Sequence, residues 1–219
     1  MPIILNLETA TKNCSVSIAK EGKTLVCKEI ATENFSHAEK LHVFIEEILQ
    51  ETNLAFKDLN AIAVSQGPGS YTGLRIGVSS AKGFCYALGL PLIAVDTLEL
   101  LARRITINDG LIVPMIDARR MEVYTAFYDK NYNKTRKIEA EIINEESYKE
   151  SNETLHLVGD GISKFKETLT ASKFIFHNDI VYPSAQEMSL LSFDKYKKSD
   201  FVDVAYFEPY YLKDFLLHK

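Results

Sequence analysis

Residues 61–96, AIAVSQGPGSYTGLRIGVSSAKGFCYALGLPLIAVD, decide the fold. Ala61 to Val64 is a short apolar run, and Gln66-Gly67-Pro68-Gly69 breaks it with turn chemistry, which predicts a strand entering a sharp turn. From Ser70 to Leu88 the apolar residues Leu74, Val78, Ala81, Cys85 and Leu88 recur at spacings of three and four, and Gly89 with Pro91 stops the pattern, as at the end of a helix. Leu90 to Val95 predicts a second buried strand. The stretch is therefore a strand, glycine turn, helix, strand unit of an α/β protein.

The glycine turn supports two readings. Free amides at the start of a helix bind anions, and Gly67 and Gly69 would let backbone approach a phosphate. Equally, a strand that turns tightly into a helix needs glycine for the turn alone. The loop is not a Walker A loop, because no Gly-Lys-Ser/Thr follows it. It also misses the dinucleotide fingerprint: Asp96 ends the following strand, but Thr72 stands where the third glycine belongs. Within the helix Gly73, Gly77 and Ala81 fall at i, i+4 and i+8, a small-residue stripe that lets another backbone come close, either this chain's own sheet or a second molecule.

Upstream, Ile3 to Leu7, CSVSIAK and TLVCKEI around Glu21-Gly22 read as three strands of a meander. Glu8 and Thr9 sit where the first strand ends; a carboxylate beside a hydroxyl there suits a metal-bound phosphate, or a turn that hydrogen-bonds to itself. Ser36-His37-Ala38-Glu39 is a capping box, and Leu41, Phe44, Ile45, Ile48 and Leu49 give the helix it opens an apolar face for a core or a partner. His37 and His42 lie roughly 140° apart around that helix, so they cannot share an ion; they read as surface histidines, with His42 facing Glu46.

Downstream, residues 96–108 form a short helix and a link. LIVPMID and MEVYTAFYD, strands around Ala118-Arg119-Arg120, then open a second half that repeats the start of the first. Residues 135–144 add a strand, TLHLVGDG another ending in a glycine turn, and Ile162 to Leu169 a short helix. Ser184-Ala185-Gln186-Glu187 is a capping box for a helix to about Lys198, whose end Lys195-Tyr196-Lys197-Lys198 is a solvated basic cluster, and the aromatic tail AYFEPYYL packs back on the body.

Over 219 residues the chain is 46% hydrophobic and 25% charged with net charge -5, an ordinary globular composition that argues against a broad nucleic-acid footprint of its own. Cys14, Cys27 and Cys85 show no CxxC or metal spacing and read as buried reduced thiols. No basic leader opens the sequence, and no apolar run approaches the ~20 residues that span a bilayer. The expectation is a cytoplasmic protein without a membrane partner.

Together ILNLETATKNCSVSIA, SQGPGSYTGLRIGVSSAKGFCYALGLPLIAVDTLELLA, MIDARRMEVYTAFY and EPYYLK resemble the TsaB family, also called YeaZ: bacterial tRNA threonylcarbamoyladenosine biosynthesis proteins once labelled glycoprotease-like peptidases. The resemblance spans nearly the whole chain in order. It implies the actin and Hsp70-like ATPase fold, with one ribonuclease-H-like subdomain over 1–107, carrying the dimerisation helices, and a second over 108–219. It also implies a degenerate phosphate-type cleft at Glu8, Thr9, Gly67, Gly69 and Asp117. TsaB is similar to the catalytic subunit TsaD, whose pair of metal-binding histidines corresponds here to Thr97 and Leu101, and a leucine cannot bind a metal ion. Where TsaD-like chains place a glycine-rich hairpin this one has Asp117-Ala118-Arg119-Arg120-Met121-Glu122, whose side chains crowd the amides; Arg119 and Arg120 either hold a phosphate or are solvated.

The resemblance thus implies a subunit with no catalytic residue and no metal. It would dock onto a TsaD-like catalytic subunit and act with a TsaE-like ATPase to transfer the threonylcarbamoyl group to N6 of the adenosine next to the anticodon. It would meet tRNA through the complex and need no cofactor beyond weak ATP or ADP binding there. Docking, or a homodimer on the same surface, would use helices over 36–54 and 70–88 through Leu41, Phe44, Ile45, Ile48, Gly73, Gly77, Ser80 and Ala81. On that reading Gly77→Leu abolishes association, and unchanged association means the small stripe faces this chain's own sheet. The rivals are an active ATPase or small kinase using Glu8, Thr9, the glycine turn and Asp117, a metallopeptidase, for which no HExxH is present, and a dinucleotide-binding module.

Overall fold

The computed structural model describes residues 1–32 and 37–213, so Ser36 of the first capping box lies outside the described residues. Strands β1 (Ile3–Glu8), β2 (Asn13–Lys20) and β3 (Lys23–Ala31) form an antiparallel meander. Glu21 and Gly22, both at positive φ, make the tight turn between the second and third. Helix α1 (His37–Thr52) leads to β4 (Ala61–Gly67), and α2 (Tyr71–Leu88) leads to β5 (Leu92–Asp96). These crossovers make β1, β4 and β5 parallel neighbours, and the sheet runs β3-β2-β1-β4-β5. Ser70 caps α2 by accepting from the Gly73 amide, and Gly89, left-handed at φ 66°, ends it. Helix α3 (Thr97–Ala102) follows at once.

One face of this sheet is covered by α1 and α2: Leu41, Ile45, Ile48, Val78 and Cys85 bury against Leu5, Leu7, Val16, Ile62 and Val64. His37, expected at the surface, is 1% exposed. Its Nε2 lies 2.8 Å from the Thr11 carbonyl, and burial holds its pKa below the usual histidine value. His42 is exposed as expected, with its ring 6.0 Å from that of Phe84.

The second half repeats the meander in β6 (Leu111–Asp117), β7 (Glu122–Tyr128) and β8 (Lys134–Ile142), then adds β9 (Leu155–Val158) parallel to β6 and β10 (Phe174–Phe176) parallel to β9. Its order β10-β9-β6-β7-β8 is the first sheet's order over again. The crossovers differ. Residues 143–154 hold turns where the first half has α1, and a 3-10 helix at Asp160–Phe165 replaces the helix expected over Ile162 to Leu169. Ile162, Phe165 and Leu169 still enter a core with Val113, Met115, Val123, Leu155 and Leu157.

Helix α4 (Ala185–Lys197) departs from the expected division at residue 107. It packs on the first sheet, so that 1–100 with 184–211 make one compact unit, and 101–183 with Leu212 and Lys213 the other. Met188 of α4 joins Ile4, Ala61, Ala63, Ile93, Val95 and Leu100 in the core on that sheet's second face. The aromatic tail returns in part, with Phe207 packed on the α1 and α2 side and the Tyr211 ring 5.1 Å from that of Tyr71, while Tyr206 is exposed.

Candidate functional site

In the first unit the expected phosphate positions gather where the parallel strands β1, β4 and β5 end, the place where open α/β sheets bind ligands. Glu8 is fully buried there. Its Oε1 accepts from the Ala10 amide at 2.6 Å, while Oε2 has no hydrogen-bond partner. Burial pushes the carboxyl up to about 7, against the Ala10 amide and the nearby Ser65 hydroxyl, which pull it down. Ser65 Oγ likewise makes no hydrogen bond of good geometry. Glu8 thus takes the self-bonded turn of the two sequence readings.

Three amides along the glycine turn and the first turn of α2 are bonded within the chain. Gly67 N–H donates to Thr97 Oγ1 at 3.1 Å, Ser70 N–H to the Ala10 carbonyl at 2.7 Å, and Gly73 N–H to Ser70 Oγ at 3.3 Å. Thr9 Oγ1 donates to the Gly73 carbonyl at 2.8 Å. A Cβ on Gly69, Gly73 or Gly77 would approach Ala10 O, Thr9 O or Thr9 Oγ1 closer than the 3.0 Å that real Cβ atoms keep, and one on Gly67 would stand 2.8 Å from Tyr210 O. These glycines let α2 and the tail press against the end of β1 and β4. Asp96, which ends β5, caps α3, its Oδ1 accepting from Leu98 N–H at 2.9 Å.

The same geometry corrects the expected docking set. Leu41, Ile45, Ile48, Gly73, Gly77 and Ala81 are buried in their own unit, and Phe44 and Ser80 are half-buried. What α1 and α2 expose instead is Val43, Ser79, Gly83, Ala87 and Tyr86, the last 88% exposed. Ser79, Gly83 and Ala87 form a second stripe at i, i+4 and i+8, and a Cβ on Gly83 would meet nothing within 4 Å. The spacing was readable in the sequence, but two stripes of equally small residues give no sign of which one faces inward.

In the second unit Asp117 ends β6 at the β6–β7 turn. Its carboxylate is paired with Lys164, whose ammonium also donates to the Arg120 carbonyl at 2.7 Å. Asp117 Oδ1 accepts from the Arg119 amide at 2.6 Å, and the Asp117 amide donates to Asp160 Oδ1 at 2.9 Å. Glu122, across the turn, pairs with Lys213. Sequence reasoning missed both lysines because each lies some forty residues or more away along the chain. Of the positions matched to metal ligands, Thr97 holds the Gly67 amide, and Leu101 packs against Gly159. Among the described residues no group of three or more His, Cys, Asp or Glu could hold a metal ion, and no helix is long and apolar enough to cross a membrane.

Residues 26–206 match the family described as TsaD: tRNA N6-adenosine threonylcarbamoyltransferase. The tRNA threonylcarbamoyladenosine biosynthesis protein TsaB of Escherichia coli (strain K12) is 29% identical over 221 residues, covering 96% of this chain and 94% of that one. The protein of the same name in Buchnera aphidicola subsp. Schizaphis graminum is 30% identical over 204 residues, covering 90% and 95%. The chain belongs to the TsaB (YeaZ) family. YeaZ from Pseudomonas aeruginosa superimposes with TM-score 0.82 at 25% identity, covering 97% of this chain and all of that TsaB-family structure. The activator of the 2-hydroxyisocaproyl-CoA dehydratase from Clostridium difficile, solved with bound ADPNP, reaches TM-score 0.50 at 10% identity over 91% of this chain and 96% of its own, a likeness of fold alone. The fold is thus the two-subdomain α/β fold of the actin and Hsp70-like ATPases, and membership in the TsaB family places the chain in tRNA threonylcarbamoyladenosine biosynthesis.

Proposed function

We propose that this chain is a non-catalytic subunit that binds a TsaD-like catalytic subunit and holds it in an active arrangement, with a TsaE-like ATPase completing the set in the cytoplasm and tRNA held by the complex. One observation carries the reading: a carboxylate from each unit and two glycine-turn amides, groups that would do phosphate chemistry, are bonded within the chain. Glu8 is buried and turned onto the Ala10 amide, the glycine-turn amides of Gly67 and Ser70 have internal acceptors, and Asp117 is neutralised by Lys164. A chain so arranged contributes through its surface, and any nucleotide it takes is held weakly within the complex.

The docking surface is the outward side of α1 and α2, where Ser79, Gly83 and Ala87 permit close helix approach and Val43 and Tyr86 supply apolar area. The same surface serves a homodimer when the partner is absent. Gly83→Arg tests it, because the added side chain points into open space and leaves the fold alone. Expected are a melting temperature equal to or a few °C above the parent's, because the helix loses a glycine, together with loss of the catalytic partner in pull-down and loss of threonylcarbamoyladenosine from tRNA in a reaction rebuilt from purified subunits. Full partner binding by Gly83→Arg would move the interface elsewhere. ATP hydrolysis by the isolated chain with magnesium would overturn the non-catalytic reading.

A further inference from the structure

At the β6–β7 turn two consecutive arginines, Arg119 and Arg120, stand at φ 71° and 54°. In this left-handed region a Cβ crowds the following carbonyl, so the usual occupants are glycine, asparagine and aspartate. The turn itself does not call for arginine, since glycine would hold the same backbone without strain. The conformation is locked from beneath. Arg119 N–H is held by Asp117 Oδ1 at 2.6 Å, the Arg120 carbonyl by Lys164 at 2.7 Å, and Asp117 N–H by Asp160 Oδ1 at 2.9 Å.

The lock also settles the local charge. Asp117 and Glu122 are each paired with a lysine, Lys164 and Lys213. Both arginines are exposed, and among the described residues no hydrogen bond or ion pair holds either guanidinium. Two unneutralised cations therefore stand side by side on a strained, braced turn, in a chain whose net charge is -5. Glu21 also takes positive φ in an exposed hairpin turn, so it is the pair of unpaired guanidiniums on one braced turn, rather than the backbone by itself, that points to function.

We infer that Arg119 and Arg120 are a contact site for the backbone phosphates of an RNA. A guanidinium matches a phosphate with two parallel hydrogen bonds, and an exposed turn suits the outer phosphates of a polynucleotide better than a single nucleotide, which needs enclosure. The inference rests on the reading above, in which the chain works in a complex that acts on tRNA, and it assigns this chain a direct share of the RNA contact.

The test is tRNA binding by the complex of the full chain with its TsaD-like subunit, followed by fluorescence anisotropy across a potassium chloride series. Arg119→Gly with Arg120→Gly should weaken binding about tenfold at low salt and flatten the plot of log affinity against log salt by about one to two units. The same variant should melt about 2–4 °C higher, because the turn loses its strain. Lysine at both positions should keep most of the salt slope. Affinity and slope unchanged in the glycine variant, with partner binding intact, would overturn the inference, as would free ATP competing as well as tRNA does. If the wild-type chain fails to bind the partner, the preceding reading fails instead, and the same comparison on the isolated chain then decides the arginine pair.

Discussion

A carboxyl group removed from water must find a donor for each oxygen or keep its proton. Glu8 has one donor, the Ala10 amide, and holds its proton up to about 7, from an ordinary 4.5. Between those two values the unfolded chain has released the proton and the folded chain has not, so stability falls as pH rises across the window, by about 3 kcal/mol in total, and is flat beyond it. Glu8→Gln keeps the shape and removes the charge. The variant should match the parent in urea unfolding at pH 4.5 and exceed it by a few kcal/mol at pH 8; equal pH dependence in the two would mean that Glu8 is ionised and solvated.

Gly73 and Gly77 bring α2 directly against Thr9 at the end of β1. Gly77→Ala gains helix propensity of about 1 kcal/mol yet places a methyl against Thr9 Oγ1, which is held in place by its bond to the Gly73 carbonyl. Overpacking should win, leaving the variant about 1–2 kcal/mol less stable in urea titration. Adding Thr9→Ala should restore part of the loss as a coupling energy between the two sites. Gly83→Ala, with open space around it, should stabilise by about 0.5–1 kcal/mol. Had α2 packed with this stripe outward, Gly77→Ala would behave as Gly83→Ala does. The elements themselves were legible because periodicity records burial: the 61–96 unit, both meanders and the α1 apolar face all appear where spacing puts them. Spacing carries no direction in space. So it named Gly73, Gly77 and Ala81 correctly as a close-approach stripe and left the partner open, and it put His37 on the surface although the Thr11 carbonyl receives it in the core.

The division of the whole molecule was the least legible feature, because α4 is fastened by hydroxyls. Ser192 Oγ donates to Asn6 Oδ1 at 2.7 Å, Ser17 Oγ to the Ala185 carbonyl at 2.7 Å, and the Ala185 amide to Ser15 Oγ at 3.0 Å. A serine-rich helix carries little apolar periodicity, and its sheet partners Asn6, Ser15 and Ser17 sit in strands that look half-solvated. Beneath that polar fastening lie Ile4, Ala61, Ala63 and Ile93, all at 1% exposure or less. A chain ending at residue 107 would present those residues to water, whereas residues 1–100 joined through a flexible linker to 184–211 would keep them covered. The joined chain should unfold in urea as one cooperative transition followed by circular dichroism. The chain of residues 1–107 should give a broad transition and bind a hydrophobic dye. An equally sharp transition in both would mean that α4 only decorates the first sheet, and residue 107 would stand as the boundary after all.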